Sequence, residues 1–372
     1  MTFPRKIILL VVGTIIVVGL GYSVIMLTGV GVPPTDDTEN IDSGYGYPVN
    51  DTRLHEFEIN MKSGGPPPDG IPPIEDPIYI DVEEANAYLN DADIVFGFVQ
   101  NGVIYAYPQR ILVWHEIVNI EIDGKPITIT YCPLTGSAVG FSGQLPGNDT
   151  TFGTTGRLVN SNLIMYDRAT NSYFPQILSQ AINKNYDGLR LERIHLAWTT
   201  WAKWKAAYPE SLVLSTETGY VRNYERDPYG SYSDTNSYYY DDQILFPVMD
   251  SDDRLFTKDV VIGLDNFENQ HAIQKQHLRN EMVINVNLGN DSYVVFYDEV
   301  LDTARSFSST LNNQTYTFSY TDGAFVDDQT QNEWSINGSS LLGNLSQFPN
   351  MDVMWFAWAA YFPNTGLSCM SC

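Results

Sequence analysis

The sequence predicts an α+β fold: a duplicated domain, rich in antiparallel strands with short helices, behind one N-terminal transmembrane helix. Three observations predict it. Residues 94–143 align without a gap on residues 260–309 at a constant offset of 166. Strand-like runs in the first copy are joined by the two-residue turn signals Asn101-Gly102 and Asp123-Gly124. An apolar, uncharged run at residues 7–27 precedes both copies.

That run is long enough to span a bilayer, which needs about 20 residues at roughly 1.5 Å each. Arg5 and Lys6 precede it, and the next basic residue is Arg53. The positive-inside bias therefore puts residues 1–6 in the cytoplasm and the rest outside, as a single-pass protein of the cell membrane. A cleaved signal peptide competes with this reading, since Gly29-Val30-Gly31 resembles a small-x-small cleavage site. Six sequons suit an external domain, at Asn50, Asn148, Asn290, Asn313, Asn337 and Asn344.

Residues 28–76 are rich in Pro, Gly and Asp and read as an extended stalk, because proline has no N–H for a ladder. Ile71, Ile74 and Ile78 offer apolar anchors by which its end would lie pinned to the domain. The first repeat spans 77–215. It opens on a short helix at 83–90, then a hairpin of 94–99 and 103–107. Pro108 begins a helix with Ile111, Leu112, Ile117 and Val118 as apolar positions. Strands at 121–122 and 127–131 flank Asp123-Gly124, and the chain enters Cys132-Pro-Leu-Thr-Gly-Ser. A helix at 198–208 carries Trp201 and Trp204 on one face, as core.

The second, degenerate repeat spans 256–365. Asp167-Arg-Ala-Thr recurs as Asp327-Asp-Gln-Thr, and Trp201, Trp204 and Pro209 recur as Trp355, Trp358 and Pro363. The offset shrinks from 166 to 160 to 154, as shorter loops in the second copy require. A Tyr- and Asp-rich connector at 216–255 reads as a solvated loop. A Cys-containing tail occupies 366–372, where Cys369 and Cys372 suit a local disulfide.

The formal charge of −25 over 372 residues excludes phosphate backbones as partners, so no nucleic acid is expected. Within the alignment, chemistry differs at three positions: His115 meets Glu281, Glu116 meets Met282 and Cys132 meets Asp298. One working copy and one scaffold copy would look like this. Cys132, at a strand end before a tight turn, with His115 and Glu116, forms the candidate catalytic set. The Thr135 and Ser137 hydroxyls and the N–H groups of the turn are available to stabilise a thiolate. His115 and Glu116 are adjacent, so on a helix they point about 100° apart. The alternative use of the same residues is a metal site of Cys132, His115 and Met165, with copper or another transition metal as cofactor. A second function class is a non-catalytic cell-surface module that recognises a protein or glycan partner.

Ordered blocks across the chain carry a family resemblance. They are Gly64-Gly-Pro-Pro-Pro-Asp-Gly-Ile-Pro-Pro-Ile, Trp114-His-Glu-Ile-Val-Asn, Tyr131-Cys-Pro-Leu-Thr-Gly-Ser-Ala, Met165-Tyr-Asp-Arg-Ala-Thr, Thr200-Trp-Ala-Lys-Trp and Arg226-Asp-Pro-Tyr. The sequence resembles the domain-of-unknown-function family 3179 from about residue 64 to 365. The resemblance implies a secreted or membrane-anchored protein of bacteria or archaea, here read as archaeal. It implies no established reaction. It also implies that the His115-Glu116 and Cys132 blocks belong to the family pattern. Members often carry a second Cys where Thr135 stands here, which counts against dithiol exchange at this turn.

Overall fold

Asp123 and Gly124 both adopt positive φ, 52° and 72°, and close the hairpin between Ile117–Ile122 and Lys125–Cys132. This is the turn that Asp-Gly favours between twisted strands. The computed structural model describes residues 51–100 and 102–372. The expected cytoplasmic end, the apolar run at 7–27, Asn50 and the first half of the stalk lie outside the described residues, as does Asn101. The rest belongs to one compact unit, strand-rich, with six short α-helices among the described residues.

The same plan is built twice. In the first copy, Ala197–Thr200, Ile94–Gln100, Val103–Pro108 and Leu212–Leu214 lie side by side, the last pair parallel. In the second, Asn350–Met354, Val260–Asp265, Gln270–Gln274 and Gly366–Ser368 repeat that order, again with the last pair parallel. A second sheet, Ile117–Ile122 beside Lys125–Cys132 beside Ser137–Ser142, recurs as Val283–Leu288, Asp291–Asp298 and Thr303–Ser308. The helices Gln109–His115 and Lys275–Glu281 join the sheets at the offset of 166.

Side chains repeat with the backbone. Asn119 Nδ2 donates to the Phe152 carbonyl at 2.8 Å, and Asn285 Nδ2 does the same to Phe318 at 2.8 Å. Gly97 lies against Trp204 and Gly263 against Trp358, so closely that a Cβ would fall 1.9 Å and 2.2 Å from a ring carbon. Trp201, Trp204, Trp355 and Trp358 are all core residues. Cys369 and Cys372 are joined by a disulfide.

Two expectations are revised and several boundaries shift: the helix expected at 83–90 is Val82–Ala85, and Ile117 and Val118, expected in the helix after Pro108, open the strand Ile117–Ile122 because that helix ends at His115. The described part of the stalk is not a free spacer. Lys62–Ser63 pairs with Phe152–Val159, and Ile74 exchanges main-chain hydrogen bonds with Ile117 and Asn119. Ile74 is the buried anchor, whereas Ile78 stays exposed. Ahead of it a helix, Asp51–Ile59, packs Phe57 on Tyr361. The connector is a largely exposed loop, as expected, but it is docked by its tyrosines. Tyr224, Tyr238 and Tyr239 are buried, and Tyr238 Oη donates to the Leu134 carbonyl at 2.7 Å. Clustered tyrosines supply the apolar area that a run rich in Asp and Ser lacks. Finally, the helix expected from residue 198 is Trp201–Ala207. Ala197–Thr200 extends along Ile94–Gln100 instead, because the ladder outweighs the helical spacing of the tryptophans.

Candidate functional site

Residue 116 ends the helix Gln109–His115 with φ of 59°, and its N–H donates to the Leu112 carbonyl. Met282 does the same in the second copy, with φ of 65°. The left-handed turn is therefore a property of the fold, a helix end of the common kind. Its consequence is that His115 and Glu116 leave the backbone in different directions.

His115 makes its hydrogen bonds elsewhere than to the thiol. Its Nδ1 lies 2.7 Å from the Pro72 carbonyl and its Nε2 2.6 Å from the Tyr224 hydroxyl. Burial holds its pKa down to about 4, against the pull of the Pro72 carbonyl, and Arg222 adds to the lowering. The ring is neutral at pH 7 with both nitrogens engaged. It pins the 66–74 segment and the connector onto the helix. The expected activation of Cys132 by His115 is thus not what these contacts provide.

The Glu116 charge, by contrast, acts on the thiol. Its carboxyl is buried and its pKa is pushed up to about 8 by burial. Cys132 is buried completely. Its pKa is pushed up to about 11, first by burial and then by the Glu116 charge. The Thr135 hydroxyl and the main-chain N–H groups of Leu163 and Thr135 face the sulfur and pull the other way. The thiol itself points at the Ser161 carbonyl, 4.0 Å away. At pH 7 the pair is a neutral thiol beside a largely neutral carboxyl.

Tyr229 of the connector completes the group. Burial raises its pKa well above the ordinary value, and the charges of Glu116 and Cys132 raise it further. Glu116, Leu134, Leu163, Tyr229, Phe246 and Pro66 line a cavity of about 140 Å³ at this point. The first copy, the 62–76 strap and the connector thus line one small cavity beside the thiol.

A buried polar network holds the turn that presents Thr135. Asn162 Nδ2 donates to Thr135 Oγ1 at 3.0 Å and to Gln176 Oε1 at 2.9 Å. Ser137 Oγ donates to Gln176 Oε1 at 2.7 Å, and Gln176 Nε2 donates to Thr130 Oγ1 at 2.8 Å. Such a satisfied network fixes one geometry, since each broken link would strand a buried dipole. Gly136 permits the turn at φ of 52°. Asn162, Gln176 and Tyr229 are the site residues that sequence reasoning missed. Gln176 left a trace, as one amide in the apolar run Phe174-Pro-Gln-Ile-Leu. Asn162 had none, because Asn160-Ser-Asn reads as an ordinary turn.

The expected metal set of Cys132, His115 and Met165 has no free imidazole nitrogen. Met165 and Cys132 lie in one core cluster, but the His115 nitrogens are taken by Pro72 and Tyr224. Among the described residues no three His, Cys, Asp or Glu side chains gather as a metal site. The connector carboxylates are engaged as well: Asp241 with Lys258, Asp250 with Arg53 and Asp252 with Arg254. The sequon residues Asn148, Asn290, Asn313, Asn337 and Asn344 are all exposed.

The chain matches the family described as Protein of unknown function (DUF3179) over residues 68–365. It belongs to that family. The match takes in Glu116, Cys132 and Tyr229, both copies and the connector, and leaves out the helix Asp51–Ile59 and the strap before residue 68. No curated protein and no solved structure matches the chain.

Proposed function

We propose that this DUF3179 protein carries a thiol–carboxyl site in its first copy, with Cys132 as the reacting group and Glu116 as the acceptor of its proton. One observation carries the reading: the buried Cys132 thiol lies within the electrostatic reach of Glu116 and Tyr229, which line a small cavity, while the second copy offers Asp298 and Met282 in place of Cys132 and Glu116. The Thr135 and Leu163 N–H groups stabilise negative charge as it develops on sulfur. His115 is a positioning residue that holds the 66–74 segment and the connector in place.

The site works outside the cell, on a protein held by one N-terminal membrane helix. Support comes from the apolar run at 7–27 behind Arg5 and Lys6, the Cys369–Cys372 disulfide and the five exposed sequons. Among the described residues no helix is long and apolar enough to cross a membrane.

Alkylation by iodoacetamide, followed by mass spectrometry on the full chain, tests the chemistry. Cys132 reactivity is expected to rise with a midpoint near pH 8, where Glu116 ionises. In Glu116→Gln that midpoint is lost. Equal profiles for the two proteins, or labelling only after unfolding, would overturn the assignment.

A further inference from the structure

A second cleft, of about 370 Å³, opens between the two copies. It is distinct from the cavity lined by Glu116 and Tyr229 and independent of the thiol reading. Trp198 and Thr199 of the first copy, Tyr240 of the connector and Phe256, Gln274 and Asp352 of the second copy are among its walls.

Three properties define what fits. First, its cations are paired. Lys275 pairs with Asp352 at 2.6 Å and Arg279 with Asp302 at 2.8 Å, while Lys258 pairs with Asp241. An anionic ligand would find no unmatched cation, and the carboxylate outside these pairs, Asp259, accepts a hydrogen bond from Gln274 at 3.1 Å. Second, the rim is aromatic and open, with Phe256 at 52% and Tyr240 at 44% exposure. Third, its walls carry polar atoms without partners. Asp352 Oδ1 and Thr199 Oγ1 are buried and accept or donate no hydrogen bond among the described residues. Asp352 is 3% exposed and Thr199 is 2% exposed. Thr303 Oγ1 and Asn350 Oδ1 are in the same condition on neighbouring strands. Buried polar groups are ordinarily paired, so this concentration at the junction marks a place where a partner is missing.

We propose that the cleft between the copies binds a neutral saccharide. Ring faces at the rim cover the C–H face of a sugar, and the carboxylate, amide and hydroxyl groups meet its hydroxyls. A cleft of this size belongs to the small-ligand range. Discrimination then rests on the polar groups, because an acceptor left bare disfavours an analogue that lacks the hydroxyl.

The test is a titration of the full chain, in detergent, with a panel of neutral mono- and disaccharides, followed by tryptophan fluorescence and calorimetry. At least one sugar is expected to bind. Phe256→Ala weakens that binding by about tenfold, and Thr199→Val by about fivefold. Thr199→Val removes a hydroxyl with no partner, so its fold is retained and circular dichroism verifies this. Cys132→Ser leaves the affinity unchanged. No sugar binding more tightly than about 10 mM, or binding undiminished in both cleft variants, would overturn the proposal.

Discussion

The first copy and the second copy have the same backbone and different chemistry at the same places. Cys132 stands where Asp298 stands, and Val139 stands where Arg305 stands. In the second copy Asp298 caps the N–H groups of Val300 and Leu301 at 3.0 and 3.1 Å and pairs with Arg305 at 2.9 Å. That strand end is closed by its own ion pair. In the first copy the same strand end keeps a neutral thiol next to a neutral carboxyl, with N–H groups facing the sulfur. The difference teaches that the turn is a general device of the fold, and that only the first copy leaves its donors free for chemistry.

Moving the second copy's residue into the first would break the comparison most severely. Cys132→Asp buries a carboxylate with Val139 in place of an arginine. A loss of about 5 kcal/mol in urea unfolding is expected, the cost of an unpaired buried charge.

Next comes the pH dependence of stability. Glu116 has its folded pKa raised from 4.5 to about 8, so the folded state holds its proton where the unfolded state has released it. Stability is therefore full below pH 4.5 and falls as pH rises towards 8, by roughly 5 kcal/mol in all. Glu116→Gln removes that slope in chemical denaturation run across the same range. His115 works in the opposite sense. Its folded pKa is lowered from 6.5 to about 4, so the stability it contributes is lost as pH falls through that window.

The shared features give a smaller and symmetrical effect. Gly97→Ala and Gly263→Ala each drive a Cβ into a tryptophan ring, Trp204 or Trp358. Both are expected to cost about 3 kcal/mol, measured by thermal or urea melts. Unequal losses would mean that the two cores are not packed alike. Smallest is Cys132→Ser, expected at about 1–2 kcal/mol because a more polar hydroxyl replaces a buried thiol.

Much of this architecture was legible in the chain. The constant offset, Asp123-Gly124 and the paired tryptophans each have a local signature that tertiary packing keeps. The candidate site was legible only in part. Cys132 and Glu116 stood out because the second copy lacks them. His115 stood out for the same reason, yet its ring serves Pro72 and Tyr224. Adjacent residues on a helix end do not share a direction, and sequence alone does not show which one turns towards the sulfur. Tyr229 and the docked connector were hidden because Asp- and Ser-rich composition resembles loop. Their burial comes from tyrosines that act only once the first copy is beneath them.

The most direct measurement is the carbon-13 titration of the Glu116 carboxyl in the full chain labelled at glutamate, assigned by its absence in Glu116→Gln. The account predicts a midpoint near pH 8, a carboxyl kept neutral beside the Cys132 thiol at physiological pH. A midpoint near the ordinary value of 4.5 would contradict it, since a Glu116 already ionised throughout the physiological range could not set the rise in thiol reactivity near pH 8.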